Sequence, residues 1–268
     1  MPQIHTQAFT LRRRRTREAD ALVTLFTQSS GKVIASTRSV MKTQSRLAGI
    51  TQPFQCLDVI LYAKTRDQEI WTLTQASLIA SHARIQSDMT GFAAASLLAE
   101  WCESLSAEFD SNQAVYRLLQ EAFARLDSPP CAPSAVIRDQ WQLLRLSGFA
   151  PHIRGCVHCG ETEASRWQYS APAGGLLCPA CGRRGMDLQP GAVKALRQVV
   201  SGPADINIRL GPAQQKQIEQ MLQAHLEYHA GIQTRTSLFQ GKMERFRTAQ
   251  GQATIKPGNP DTRRDSSQ

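Results

Sequence analysis

Over the first eighty positions, apolar and polar residues alternate in short runs, the period of strands that bury one face. Five runs predict strands: Ala8–Arg15, Ala19–Gln28, Lys32–Val40, Phe54–Lys64 and Glu69–Ile79, rich in Val, Ile, Leu, Thr and aromatics. Five strands in so short a span predict a small barrel. Ser29-Ser30-Gly31 and Thr65-Arg66-Asp67-Gln68 supply hairpin connections, the first with a glycine able to take positive φ, and Pro53 marks a strand entrance.

From about residue 90 the period lengthens to that of helices. Leu98, Cys102, Leu105 and Phe109 form one apolar stripe, and Val115, Leu118, Leu119, Ala122 and Leu126 form a second. A proline-rich stretch from Ser128 to Pro133 ends the second helix, and Ser134 is placed to cap a third that runs to Gly148. A further helix is expected near Gly191 and a long one from Pro212 to about His229. Residues 251–268 have no periodic apolar face and read as a disordered tail.

Between the third and fourth of these helices lie Cys156-x2-Cys159 and Cys178-x2-Cys181, the spacing of two knuckles that hold one tetrahedral metal. Zn²⁺ is the natural occupant. Four thiolates leave no position for water, so such a site is structural rather than catalytic. Two disulfides, or a redox Cys-x-x-Cys, are the alternatives, and His158 reads as a solvated turn residue. Cys56, Cys102 and Cys131 then read as buried or incidental thiols. Seven cysteines, no signal peptide and no membrane-length apolar run point to a reducing cytosol.

Composition adds a polyanionic partner to the picture. The 268-residue chain carries a formal charge of +9, and its distribution is uneven. Residues 1–50 hold nine Lys or Arg (Arg12, Arg13, Arg14, Arg15, Arg17, Lys32, Arg38, Lys42, Arg46) against Glu18 and Asp20, a balance of +7. Residues 81–130 run to −4. Consecutive strand residues point to opposite faces, so Arg12 and Arg14 cannot share a side with Arg13 and Arg15, while Lys32 and Arg38 share one. A basic barrel is a common holder of single-stranded nucleic acid, and a solvated edge that blocks strand pairing is the plainer alternative. On the third helix Arg138, Trp141 and Arg145 fall at i, i+3 and i+7, a stripe suited to an acidic, aromatic-ended peptide, although Trp141 in the core with flanking solvated arginines is the plainer reading of the same spacing.

Catalytic motifs are sparse. Gly31-Lys32 lacks the upstream glycine of a phosphate-binding loop, and His225-Leu226-Glu227-Tyr228-His229 has its glutamate out of place for a metalloprotease. These histidines read as two residues on a partly buried helix face. A metal-stabilised enzyme acting on nucleic acid would need a carboxylate cluster for Mg²⁺, and a protein-only scaffold would need neither.

Three groups of residues together resemble the bacterial recombination-mediator family RecO. They are the barrel segment Leu25-Phe26-Thr27-Gln28-Ser29-Ser30-Gly31-Lys32; then Lys42-Thr43-Gln44-Ser45-Arg46-Leu47 and Gln52-Pro53-Phe54; and finally the knuckles Arg154-Gly155-Cys156-Val157-His158-Cys159-Gly160 and Ala173-Gly174-Gly175-Leu176-Leu177-Cys178-Pro179-Ala180-Cys181. The segment His225 to Phe239 is similar to the family's C-terminal helical region. The Arg12–Arg15 run is denser than the family pattern, and the charged tail falls outside it. The resemblance implies an α+β protein: an N-terminal five-stranded OB-fold barrel over residues 1–80, then a mostly helical domain over 81–250 with a zinc ribbon inserted at about 154–184. It also implies a non-catalytic, cytoplasmic, nucleoid-associated protein that binds single- and double-stranded DNA and anneals complementary strands. RecR and the C-terminal tail of the single-strand-binding protein are the implied partners in loading RecA, with no membrane and no small-molecule substrate.

Overall fold

The computed structural model of the chain describes residues 2–16, 20–37, 46–65, 67–128, 130–182, 184–203 and 206–231. Five strands, β1 (Gln3–Arg15), β2 (Ala21–Thr27), β3 (Gly31–Thr37), β4 (Cys56–Tyr62) and β5 (Ile70–Ala80), close into a barrel in the order β1-β2-β3-β5-β4. A short helix α1 (Arg46–Ile50) lies between β3 and β4. Only the β3–β5 seam is parallel, and this closed five-strand arrangement is that of an OB-fold. Alternation explains the filling: Ala8, Val23, Leu25, Val33, Ala35, Leu57, Val59, Leu61, Trp71 and Leu73 form the barrel interior.

The β1–β2 register shifts between Thr10 and Arg12, so Leu11 is an extra residue in β1. Phe9 and Leu11 face outward and join Phe26 in the core shared with the helices, and the extra residue lets Arg12, next to Leu11, face outward as well. That shared core is the reason the two halves pack as one body. Beyond the barrel come α2 (Ala83–Ser87), α3 (Met89–Leu105), α4 (Gln113–Leu126), α5 (Pro133–Leu146), α6 (Pro190–Ser201) and α7 (Pro212–Ala230). Asp88 and Asn112 cap α3 and α4 by accepting from backbone N–H groups one turn on. Between α5 and α6 a small sheet of β6 (His152–Cys156), β7 (Trp167–Ser170), β8 (Gly175–Leu177) and β9 (Met186–Leu188) runs in the order β6-β8-β7-β9.

Two helix boundaries depart from the sequence reading. The first stripe ends at Leu105, and Phe109 lies beyond the helix with φ 56°. Its N–H donates to the Lys32 carbonyl at 3.0 Å and its ring lies 5.5 Å from that of Trp71, so the open edge of β3 captures the segment. Gly31, at φ 65°, is required here, since a Cβ would stand 1.9 Å from the Asp110 carbonyl oxygen. Ser134 does not cap α5, which starts at Pro133 after Ala132. It is fully buried, donates to the Ile206 carbonyl and accepts from the Ile208 N–H, tying down the connection before α7. The predicted tail, residues 251–268, lies outside the described residues.

Candidate functional site

The four knuckle cysteines gather at one end of the small sheet, where the neighbouring parallel strands β6 and β8 finish. Cys156 closes β6 and Cys178 follows β8, each leading into a turn that returns the second cysteine. Gly160 N–H donates to the Cys156 carbonyl at 2.9 Å, and Gly182 N–H to that of Cys178 at 2.8 Å. Gly155 is needed for the first turn, because a Cβ there would meet the Glu161 carbonyl at 2.9 Å. All four sulfurs lie within 4.8 Å of one another, and Cys159 Sγ is 3.5 Å from Cys178 Sγ. Four sulfurs about 2.3 Å from one tetrahedral ion would stand roughly 3.8 Å apart, so the donor set fits a single thiolate-bound metal.

The electrostatics agree with that fit. Burial alone would raise the Cys156 thiol, but backbone N–H groups of Cys178, Cys159 and His158 outweigh it and pull it down to about 6. The sulfurs of Cys159 and Cys178 push Cys181 the other way, to about 12. Four sulfurs this close need a cation to become thiolates together. Among the described residues these cysteines form the one group of His, Cys, Asp or Glu spaced to hold a metal. Cys56 and Cys102 are buried and Cys131 is half-buried, all three free thiols.

Side chains that sequence reading passed over fasten the ribbon to the helices. Arg197 of α6 donates from Nε to the Ile153 carbonyl at 2.7 Å and from Nη1 to that of Thr162 at 3.0 Å, and its guanidinium lies 5.2 Å from the Trp167 ring. His225 of α7 donates from Nε2 to the Phe149 carbonyl and accepts the Tyr169 hydroxyl at Nδ1, both at 2.5 Å. A carbonyl only accepts, which fixes this tautomer of the neutral ring. Burial pulls His225 down to about 4. His229 Nε2 bonds the Ala171 carbonyl at 2.8 Å, and the two imidazoles pack with centroids 4.3 Å apart and planes tilted by 40°, so this histidine pair is a structural clamp.

The basic residues part company. Arg12 faces outward opposite Thr24, and its Nη2 lies 3.2 Å from Glu103 Oε1 of α3. Lys32 Nζ donates to the Glu103 backbone carbonyl at 2.9 Å. Arg13, opposite the interior residue Val23, closes the barrel end instead: its Nη1 donates to the Ala48 carbonyl at 2.7 Å, and burial lowers its pKa. Arg14, on the outer face opposite Leu22, and Arg15, opposite Ala21, are both exposed. Arg17, Arg38, Lys42 and the side chain of Arg46 lie outside the described residues. On the ribbon, Arg154 and Arg184 are exposed.

The stripe on α5 does not present an indole between two guanidinium groups. Trp141 is 7% exposed and belongs to the helical core, while Arg138 turns to the Gly202 carbonyl at 3.2 Å. Arg145 alone is exposed, its Nε donating to Gln142 Oε1 at 2.7 Å. Neighbouring Asp139 explains the arrangement, since this buried carboxylate takes Arg125 at 2.5 Å and draws Arg138 to 3.8 Å.

Comparison with known proteins covers both halves. Residues 1–82 match the family model described as Recombination protein O N terminal, and residues 86–238 match Recombination protein O C terminal. A DNA repair protein RecO from Bifidobacterium adolescentis is 36% identical over 186 residues, 67% of this chain and 74% of that protein. Its namesake from Heliobacterium modesticaldum is 33% identical over 216 residues, 77% of each chain. That from Bacillus pumilus is 25% identical over 255 residues, 92% of this chain and 97% of the relative.

Proposed function

The chain belongs to the RecO family of DNA repair proteins, and from that premise we propose that it is a non-catalytic recombination mediator that binds single- and double-stranded DNA and anneals complementary strands. With RecR it helps load RecA onto DNA coated by the single-strand-binding protein, whose acidic tail is a second protein partner. It acts in the cytoplasm at the nucleoid. The observation that carries this reading is the two-part family match, which runs from the barrel through the helical body to residue 238.

Annealing needs no bond to be made or broken by the protein. Two phosphate backbones must be neutralised and held near each other, a task for cations at a surface. The +7 balance of residues 1–50, with Arg14 and Arg15 exposed at one end of the barrel, supports that role, and Arg17, Arg38, Lys42 and Arg46 extend the same basic set. Arg12, Arg13 and Lys32 belong to it as well, although in the free protein each is engaged by protein oxygen atoms. The four thiolates would hold one Zn²⁺ as a closed site that shapes the ribbon and leaves no coordination position for chemistry. Among the described residues, no helix is long and apolar enough to cross a membrane.

The test is strand annealing of complementary oligonucleotides by the purified protein without nucleotide or Mg²⁺. Accelerated annealing with both strands intact is the expected result. Cleavage that requires Mg²⁺ would replace this reading with a nuclease, and no DNA binding at moderate salt would replace it with a protein scaffold.

A further inference from the structure

We propose that Arg12 and Thr24 form a phosphate subsite on the outer face of the barrel, and that the Glu103 carboxylate occupies it in the free protein as a mask. The inference rests on the DNA-binding reading above and assigns to it a specific site. Arg12 of β1 and Thr24 of β2 are directly paired across the sheet. Both aim at one oxygen of α3: Glu103 Oε1 lies 3.2 Å from Arg12 Nη2 and 3.4 Å from Thr24 Oγ1. Thr24 is 5% exposed, so its hydroxyl is held toward that point by the surrounding core.

A guanidinium and a hydroxyl converging on one anionic oxygen are the donors that recognise a phosphodiester. The carboxylate resembles that ligand in charge and in offering two acceptor oxygens. The Arg12 side chain is 40% exposed and that of Glu103 19%, so a phosphate can arrive from solvent while the glutamate swings out. α3 need not move with it. Lys32 Nζ holds the Glu103 backbone carbonyl, not its carboxylate, near the negative end of the helix dipole, and this bond survives the exchange. A partly exposed ion pair is weak, so the mask yields to a strand that already touches the neighbouring Arg14. DNA would then run along the seam between barrel and helices.

Glu103→Gln tests this, because the amide keeps the shape and one acceptor oxygen but loses the charge. Fluorescence anisotropy with a mixed-sequence single strand at low salt is expected to show affinity raised roughly two- to fivefold, and Arg12→Ala in the same background is expected to abolish the gain. Thermal unfolding of each variant checks that the seam remains folded. Unchanged affinity in folded Glu103→Gln overturns the mask, as does a gain that persists with Arg12→Ala, which would report only the removal of a repelling charge. If the wild-type protein binds no single strand, the DNA-binding reading itself fails. If it binds and Glu103→Gln matches it, the mask alone fails.

Discussion

His225→Leu is expected to loosen the ribbon from the last helix, and to do so in a pH-dependent way. His225 is 3% exposed and joins three segments, accepting from the Tyr169 hydroxyl of β7 and donating to the Phe149 carbonyl after α5. Leucine offers neither bond. Each polar group left alone in the interior costs about 1–3 kcal/mol, so the pair predicts a loss of about 2–6 kcal/mol at neutral pH. For a chain of this length that is a fall in melting temperature of roughly 5–15 °C. Burial lowers the folded-state pKa of His225 to about 4, below the unfolded value near 6.5. Its contribution is therefore complete above about pH 6.5 and is lost as pH falls toward 4, where the ring must be protonated in both states. Asp139 titrates across the same window with opposite sign. Burial raises its carboxyl to about 6 despite Arg125, so stability from that group is lost as pH rises through 6. The wild-type curve mixes the two effects, and the difference between wild type and variant isolates the histidine. Thermal unfolding followed by circular dichroism at several values between pH 7.5 and 4.5 should show a gap that is widest at neutral pH and narrows on acidification. A gap of constant size, or none, would refute the clamp.

Two further outcomes concern the ribbon. Cys159→Ser should lower the bound metal measured by elemental analysis from one ion per chain and expose residues 154–184 to protease, since thiolate zinc sites contribute on the order of 10 kcal/mol to folding in isolated fingers; unchanged metal content and melting would contradict a four-thiolate site. Arg197→Lys keeps the charge but cannot reach both the Ile153 and Thr162 carbonyls from one fork, so hydrogen exchange of the β6 amides should accelerate roughly tenfold for a loss of about 1.4 kcal/mol; unaltered exchange would show that the fork is dispensable.

The strands and the knuckles were legible because their signals are local. Alternation around Val23, Leu25, Val33 and Ala35 specifies an inner face, and two Cys-x2-Cys pairs specify a four-sulfur group without reference to anything distant. Parity also separated Arg12 and Arg14 from Arg13 and Arg15 correctly, even though the extra residue Leu11 lies just before the run. What parity could not show is what each guanidinium meets. Glu103 lies 79 residues beyond Thr24 and counted in the sequence only as one acid among several on the helices. Ser134 and Phe109 misled for the same reason: a serine after proline has the local pattern of a cap, and a phenylalanine four residues after Leu105 continues a stripe. Both were claimed by distant partners, the 206–208 backbone and the open edge of β3. Trp141 in the core was one of two readings of its spacing, whereas the buried Asp139 that engages Arg125 and Arg138 went unread, since a charged residue inside a helix core has no periodic signature.

The central claim, that the basic end of the barrel holds DNA through its phosphates, is tested most directly by salt titration of single-strand affinity for wild type, Arg14→Ala and Arg38→Ala on mixed-sequence oligonucleotides. Neutralising Z phosphates predicts a slope of log affinity against log salt of roughly −0.7Z, and each lost contact should flatten it by about 0.7 with little change in sequence preference. If both variants keep the wild-type slope, the phosphate-binding surface lies elsewhere, and the exposed Arg154 and Arg184 of the ribbon become the place to look.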